Sequence, residues 1–190
     1  ANELLFFFDD GNFYNWTLSA NDTFSESSGA RPFAYNLSVY IAMKLINQSV
    51  EFGDLSLGEN VDTSGCNLGT GSSTPCPIVI ENIGNAEYFI NLTGPENHFW
   101  SNATYPHPIE HFSFRIENGS EGQAYKTSAD SIVTYTALPD NGTNLTIVDN
   151  FNHTDSNDTF RLDINITVPE IEPVGNKNIS LLLTGWYVGP

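Results

Sequence analysis

Apolar residues recur at every second position through much of this chain. Residues 160–168 are the clearest case. Phe160, Leu162, Ile164, Ile166 and Val168 fall on one side of an extended backbone, and Arg161, Asp163, Asn165 and Thr167 on the other. Successive side chains of a strand point to opposite faces, so the pattern predicts a strand buried on one face. Residues 35–45 repeat it, with Tyr35, Leu37, Val39, Ile41, Met43 and Leu45 expected inward, as do residues 112–116 with Phe112, Phe114 and Ile116. The phase changes near Asn47 and again at Gly53, so residues 50–52 and 55–57 read as bent continuations or bulges.

Residues 77–83 and 88–93 flank Gly84-Asn85, which reads as a hairpin turn. Further strands are predicted over 132–137, 145–148 and 177–188. Nowhere does a helical period persist. Many short strands separated by turn residues predict an all-β fold, an antiparallel β-sandwich of jelly-roll type.

The first thirty residues differ. Leu4, Leu5, Phe6, Phe7 and Phe8 form a compact apolar run that ends at Asp9-Asp10-Gly11, and residues 21–30 read as a linker. The expected organisation is an N-terminal arm over 1–30 and a sandwich domain over 31–190. The apolar run has two readings: a buried first strand, or a donor strand that completes the sheet of a neighbouring copy and so forms a subunit interface.

One motif changes the picture more than any other. Asn-x-Ser/Thr acceptors for N-linked glycans occur at Asn15, Asn21, Asn36, Asn47, Asn91, Asn102, Asn118, Asn141, Asn144, Asn152, Asn157, Asn165 and Asn178. With this asparagine, serine and threonine content, chance would supply about four. Several carry an aliphatic residue in the middle, as in Asn91-Leu92-Thr93, Asn144-Leu145-Thr146 and Asn165-Ile166-Thr167. On a strand that arrangement buries the centre and turns the acceptor outward.

Composition agrees with a glycan-covered surface. Hydrophobic residues make up 39% and aromatic residues 13%, enough for a core, while charged residues are only 15%. The charges are one-sided, with 23 acidic against 6 basic residues and a net charge of −17. Such a chain cannot neutralise phosphates, so nucleic acid is excluded as a partner. No run approaches the ~20 apolar residues of a membrane span. A start at Ala1 rather than methionine is expected if an export signal has been removed, and with an end at Pro190 the chain is expected to carry no anchor of its own. Cys66 and Cys76 bracket a loop rich in glycine, serine and threonine, and in an exported chain they are expected to pair. The expected location is extracellular, at the cell surface.

Signals for chemistry are sparse. His107-Pro108-Ile109-Glu110-His111 matches the H-x-x-E-H zinc pattern, but that pattern needs a helix to bring both imidazoles to one metal. Flanking prolines and an extended backbone would hold them about 13 Å apart. The segment 149–158 is dense in hard oxygen ligands, with Asp149, Asp155 and Asp158 as candidate Ca2+ ligands. No catalytic residue is assigned. N-linked glycans are the one expected attachment, and no cofactor is required.

Three short motifs carry a resemblance. Val50-Glu51-Phe52-Gly53 precedes Asp62-Thr63; Ile78-Val79-Ile80-Glu81-Asn82-Ile83-Gly84-Asn85 follows; Val168-Pro169-Glu170-Ile171-Glu172-Pro173-Val174-Gly175 leads into the last strand. This stretch, about three-quarters of the chain, resembles small secreted archaeal β-sandwich surface proteins. It is more distantly similar to TasA and camelysin-like fibre subunits and archaeal bundling pilins. The resemblance implies a filament subunit that polymerises by donor-strand complementation with copies of itself. Type IV pilins are excluded, because Phe8 is followed at once by Asp9 and Asp10.

Two other functions stay open. A carbohydrate-binding or adhesive module would use Trp16, Trp100 or Trp186 as a sugar platform. A surface hydrolase would have to draw on His107 and His111.

Overall fold

The structure is a computed structural model describing residues 13–18, 31–36, 39–66, 75–95, 99–101, 109–126, 131–139, 141–187 and 189; for 13–18 and 31–36 the backbone alone is described. Among these residues there is no helix, and every pairing between strands is antiparallel.

Two sheets pack face to face. The larger has six strands. Its centre is β10 (Thr159–Thr167), flanked on one side by β7 (Phe112–Asn118) and β8 (Thr136–Ala137). On the other side lie β5 (Ile78–Asn82) and the edge strand β3 (Met43–Asn47), while β4 (Asn60–Asp62) pairs with the far end of β10. The smaller sheet has the order β11 (Leu182–Trp186), β6 (Tyr88–Thr93), β9 (Asn144–Phe151). A separate hairpin-like pair joins β1 (Phe13–Leu18) to β2 (Arg31–Asn36), so one strand of residues 1–30 pairs with one of residues 31–190.

The core follows from the alternation. Phe160, Leu162, Ile164 and Ile166 of β10 and Phe112, Phe114 and Ile116 of β7 are buried, as predicted. They meet Tyr88, Ile90 and Leu92 of β6 and Ile147, Val148 and Phe151 of β9. Phe151 packs edge-to-face against Phe160 and Tyr88, with centroids 4.9 and 5.6 Å apart. Burying each such aromatic ring is worth about 1.5–3 kcal/mol. Ile147 and Val148 are both buried although adjacent, because the β6–β9 register shifts there. Asn150, at φ 57°, takes the left-handed conformation that asparagine tolerates, beside a second shift between Tyr88 and Ile90.

Three expectations are corrected. Gly84-Asn85 is not a hairpin turn, because β5 and β6 belong to different sheets and the segment between them is a corner. Asn82 holds that corner: its Nδ2 donates to the carbonyls of Ala86, Phe151 and Asn152, and its Oδ1 accepts from Gly84 N. Gly84 is needed there, since a Cβ would lie 2.5 Å from the Tyr40 carbonyl oxygen. The strand predicted over 35–45 is split between β2 and β3, and Val39, Ile41 and Leu45 are exposed rather than inward. Val39 and Ile41 lie outside any strand, and Leu45 stands on the edge strand β3, where Ile46 is exposed as well. The strands predicted over 132–137 and 177–188 shrink to β8 and β11.

The two long sides of the sandwich differ. One is closed by the irregular segments 124–126 and 131–133. Ile132 accepts from Ile116 N of β7 and donates to Ile147 O of β9, while Ala124 O accepts from Asn152 N. The other side is open, with β3 and β11 as its two edges. Tyr88 OH donates to Ala42 O across the gap, and the Met43 methyl lies against Gly185.

Candidate functional site

Below the Tyr88 contact the open side becomes a cleft of about 1000 Å³. Its floor is core: Ile78 of β5, Ile164 and Ile166 of β10, and Phe99 with Trp100. Its walls are two segments without strand pairing, 48–57 and 173–181. Val50, Phe52 and Leu55 of the first and Ile179 and Leu181 of the second are only partly buried against the core. These segments were predicted as bent strand continuations and the start of the last strand. Each instead adjoins in sequence a strand, β3 or β11, that has a single sheet neighbour among the described residues.

A polar cluster closes one end. Glu172, 6% exposed, accepts from Ser101 N at 2.8 and 3.0 Å and pairs with Lys177, whose Nζ also donates to Ser101 Oγ at 2.7 Å. Burial works against the charged carboxylate, but the donors from Lys177 and Ser101 prevail and hold its pKa below the usual range. Ser101 and Lys177 look like a nucleophile–base pair, yet an ammonium donating to both a carboxylate and the serine oxygen is no proton acceptor. The cluster is a clasp. It ties the turn carrying Trp100 to the 169–177 connection, and Trp100 Nε1 donates to His111 O at 3.1 Å beneath it.

A second polar cluster lies on the outer face of the larger sheet. Asp163, which the alternation places outward, is fully buried. Arg115 Nε and Arg161 Nη2 approach its Oδ2 at 3.7 and 3.5 Å, and both arginines also pair with Glu117. Thr63 donates to Asp163 Oδ1 at 3.1 Å, and the Arg115 guanidinium stacks 4.8 Å over the Tyr135 ring. Burial pushes the Asp163 carboxyl pKa up against the pull of Arg161. The charges balance within the group, so it suits locking β4, β7 and β10 together rather than holding a ligand.

The third cluster concerns the candidate calcium ligands. Asp158, 5% exposed, sits beside Glu121 and Thr159, and the Thr159 hydroxyl lies within hydrogen-bond reach of both carboxylates. Burial, then the hydrogen bond and charge of Glu121, raise the Asp158 pKa to about 6. Among the described residues no group of three or more His, Cys, Asp or Glu side chains converges as a metal site. Asp155 is exposed, and Asp149 donates its backbone N–H to Ser131 Oγ. His111 Nδ1 lies 3.2 Å from Thr167 O; His107 lies outside the described residues.

Cys66 and Cys76 form the expected disulfide. The sequons on strands behave as their spacing implied: Leu92 and Ile166 are buried and Leu145 is packed against the core, while Asn144 is exposed. Asn118, Asn141, Asn152, Asn157, Asn165 and Asn178 are exposed or half-exposed, Asn178 bordering the cleft. Asn21 and Asn102, like Leu4, Leu5, Phe6, Phe7 and Phe8, lie outside the described residues, as do the side chains of Asn15, Asn36 and Trp16. Trp100 is buried, whereas Trp186 is 60% exposed.

Sequence reasoning did not single out Asn82, Asp163 or Glu172. One signal was available: Arg115 and Arg161, two of only 6 basic residues, both stand at outward positions of strands. No protein-family model, curated protein or solved structure matches this chain.

Proposed function

We propose that this chain is a structural subunit of an extracellular filament or surface layer, N-glycosylated, whose copies join by strand exchange. The observation that carries the reading is the open side of the sandwich, where an apolar cleft is bordered by Leu45 of β3 and Leu183 of β11, two strands that each have a single sheet neighbour among the described residues. The apolar run Leu4, Leu5, Phe6, Phe7 and Phe8 of a neighbouring copy has the length and character to occupy it. Backbone pairing to β3 or β11 would give such a contact its strength, and alternate side chains its fit. A disulfide suits an oxidising compartment. The reading assigns the chain no catalysis.

Negative-stain electron microscopy of the native secreted material tests this directly. Regular filaments or sheets of this chain are expected, and deletion of residues 1–10 should leave a folded monomer. Polymers that persist after the deletion would remove strand exchange through that run.

A second reading has one observation in its favour. Trp186 and Tyr187 are both exposed at the end of β11, as a sugar-stacking platform would require. An adhesive module of this kind should lose glycan-array binding on Trp186→Ala while remaining monomeric.

A further inference from the structure

β6 and β9 bring two acceptor motifs into direct opposition. In the antiparallel register Asn91 faces Thr146, Leu92 faces Leu145, and Thr93 faces Asn144. The motifs are therefore reciprocal, each asparagine standing opposite the hydroxyl residue of the other. The Thr146 hydroxyl donates to Asn91 Oδ1 at 2.9 Å, and the Thr93 hydroxyl donates to Asn144 Oδ1 at 2.6 Å. Both amide oxygens are held and both Nδ2 atoms are left over, since neither has a hydrogen-bond partner among the described residues. Leu92 is fully buried beneath the pair, so the amides stand on the outer face of the smaller sheet.

The motif on β3 is built the opposite way. Asn47 Nδ2 donates to Pro77 O at 2.6 Å and reaches Cys76 O at 3.5 Å. Its two hydrogens fasten the end of the edge strand to the chain just past the Cys66–Cys76 disulfide. The β3–β5 register shifts between Leu45 and Asn47, which swings the amide toward these carbonyls.

We infer that Asn91 and Asn144 carry a pair of neighbouring N-linked glycans on the smaller sheet, while the fold keeps Asn47 unmodified. The chemistry decides between the two environments. Transfer joins Nδ2 to the anomeric carbon of a sugar from a lipid-linked glycosyl phosphate or diphosphate. The bond from that carbon to the phosphate oxygen breaks, the lipid phosphate leaves, and Nδ2 gives up one of its two protons. At Asn91 and Asn144 neither hydroxyl–amide bond involves Nδ2, so both survive the modification and hold each sugar's root rigidly. At Asn47 the substituent would replace a hydrogen that the fold uses and would enter the space of the 76–77 backbone. A chain modified there could not seat the end of β3.

The two glycans would root on diagonal neighbours about 7–8 Å apart. Together they would cover the face of β6 and β9 and leave the β3 edge free of sugar. The inference refines the glycosylation reading on which it rests.

The test is glycopeptide mapping of the full chain from its native source, with intact masses for Asn91→Gln, Asn144→Gln and Asn47→Gln. The expected result is occupancy at Asn91 and Asn144 and none at Asn47. Each of the first two variants should then be lighter by one glycan. Asn47→Gln should lose no glycan but melt lower than the parent; if it does not fold, the parent's peptide map alone decides. Sugar on Asn47, or a bare Asn91 or Asn144 in a chain glycosylated elsewhere, overturns the inference. A chain bare at every acceptor removes the inference and the glycosylation reading together, and leaves strand exchange standing.

Discussion

Thr63 and Asp163 are both fully buried and are joined by a 3.1 Å hydrogen bond across the outer face of the larger sheet. Thr63 also accepts from Ile164 N at 2.9 Å and donates its own N–H to Ile164 O, so the turn leading to Cys66 is clamped onto β10. Asp163 shares with Glu117 the neutralisation of Arg115 and Arg161. Removing Asp163 leaves the two partly exposed arginines with Glu117 alone and the buried Thr63 hydroxyl without its acceptor, a loss of about 1–3 kcal/mol. Asp163→Ala is expected to destabilise the fold by that order, measured by denaturant unfolding, and Thr63→Val by less. An Asp163→Ala variant as stable as the parent would show that the cluster contributes nothing to holding β4, β7 and β10.

Asn82 is the second point where a single polar side chain organises the fold. It is 2% exposed, and its amide serves three carbonyls from two parts of the chain at the corner between the sheets. Asn82→Ala leaves these acceptors without their donor, at a cost of about 2–3 kcal/mol. Asn82→Asp should do at least as much harm, because a carboxylate cannot donate to them. Thermal melts of the two variants check the order.

The limits of the sequence pattern are visible at these same residues. Alternation identified the buried faces of β7 and β10 because each is a strand covered on that face by the other sheet. The same alternation placed Val39, Ile41 and Leu45 inward, and they are exposed, because the pattern continues through residues 39–42, which join no strand, and onto the edge strand β3. It placed Asp163 outward, which is correct for the pleat; the burial comes from the 63–66 turn and Tyr135, which are distant in sequence. Gly84-Asn85 has hairpin chemistry, but the strands it joins diverge into two sheets, and that depends on the three carbonyls gathered by Asn82. The cleft had no local signature, since its floor is ordinary core and its opening exists only through the order of strands.

Asp158 gives the fold a pH dependence of unusual sign. Burial and Glu121 raise its pKa from 3.8 to about 6, so the folded state holds this proton more tightly than the unfolded chain. Its contribution is then fullest below pH 3.8 and is lost as pH rises toward 6. Asp158→Asn keeps a donor toward Glu121 and removes the titration. The variant should gain on the order of 1 kcal/mol relative to the parent at pH 7 and little at pH 4. Melting curves of both proteins across pH 4–7 check this, and a difference independent of pH would mean that Asp158 does not titrate in this range.

The open side can be tested without touching the N-terminal run. Leu45 is on the β3 edge opposite Ile80, 44% exposed at the rim of the cleft. Leu45→Lys places a charge where an incoming strand would have to pair, the device by which natural sheets discourage such pairing. Little apolar burial is lost, so stability should fall by about 1 kcal/mol or less. Assembly, scored by electron microscopy and sedimentation, should be abolished. Val133→Lys supplies the control: Val133 is 40% exposed on the closed side, where Ile132 already joins the two sheets, and its variant should still assemble. If Leu45→Lys polymerises as the parent does and Val133→Lys does not, the closed side is the interface and the β3 edge has no part in it.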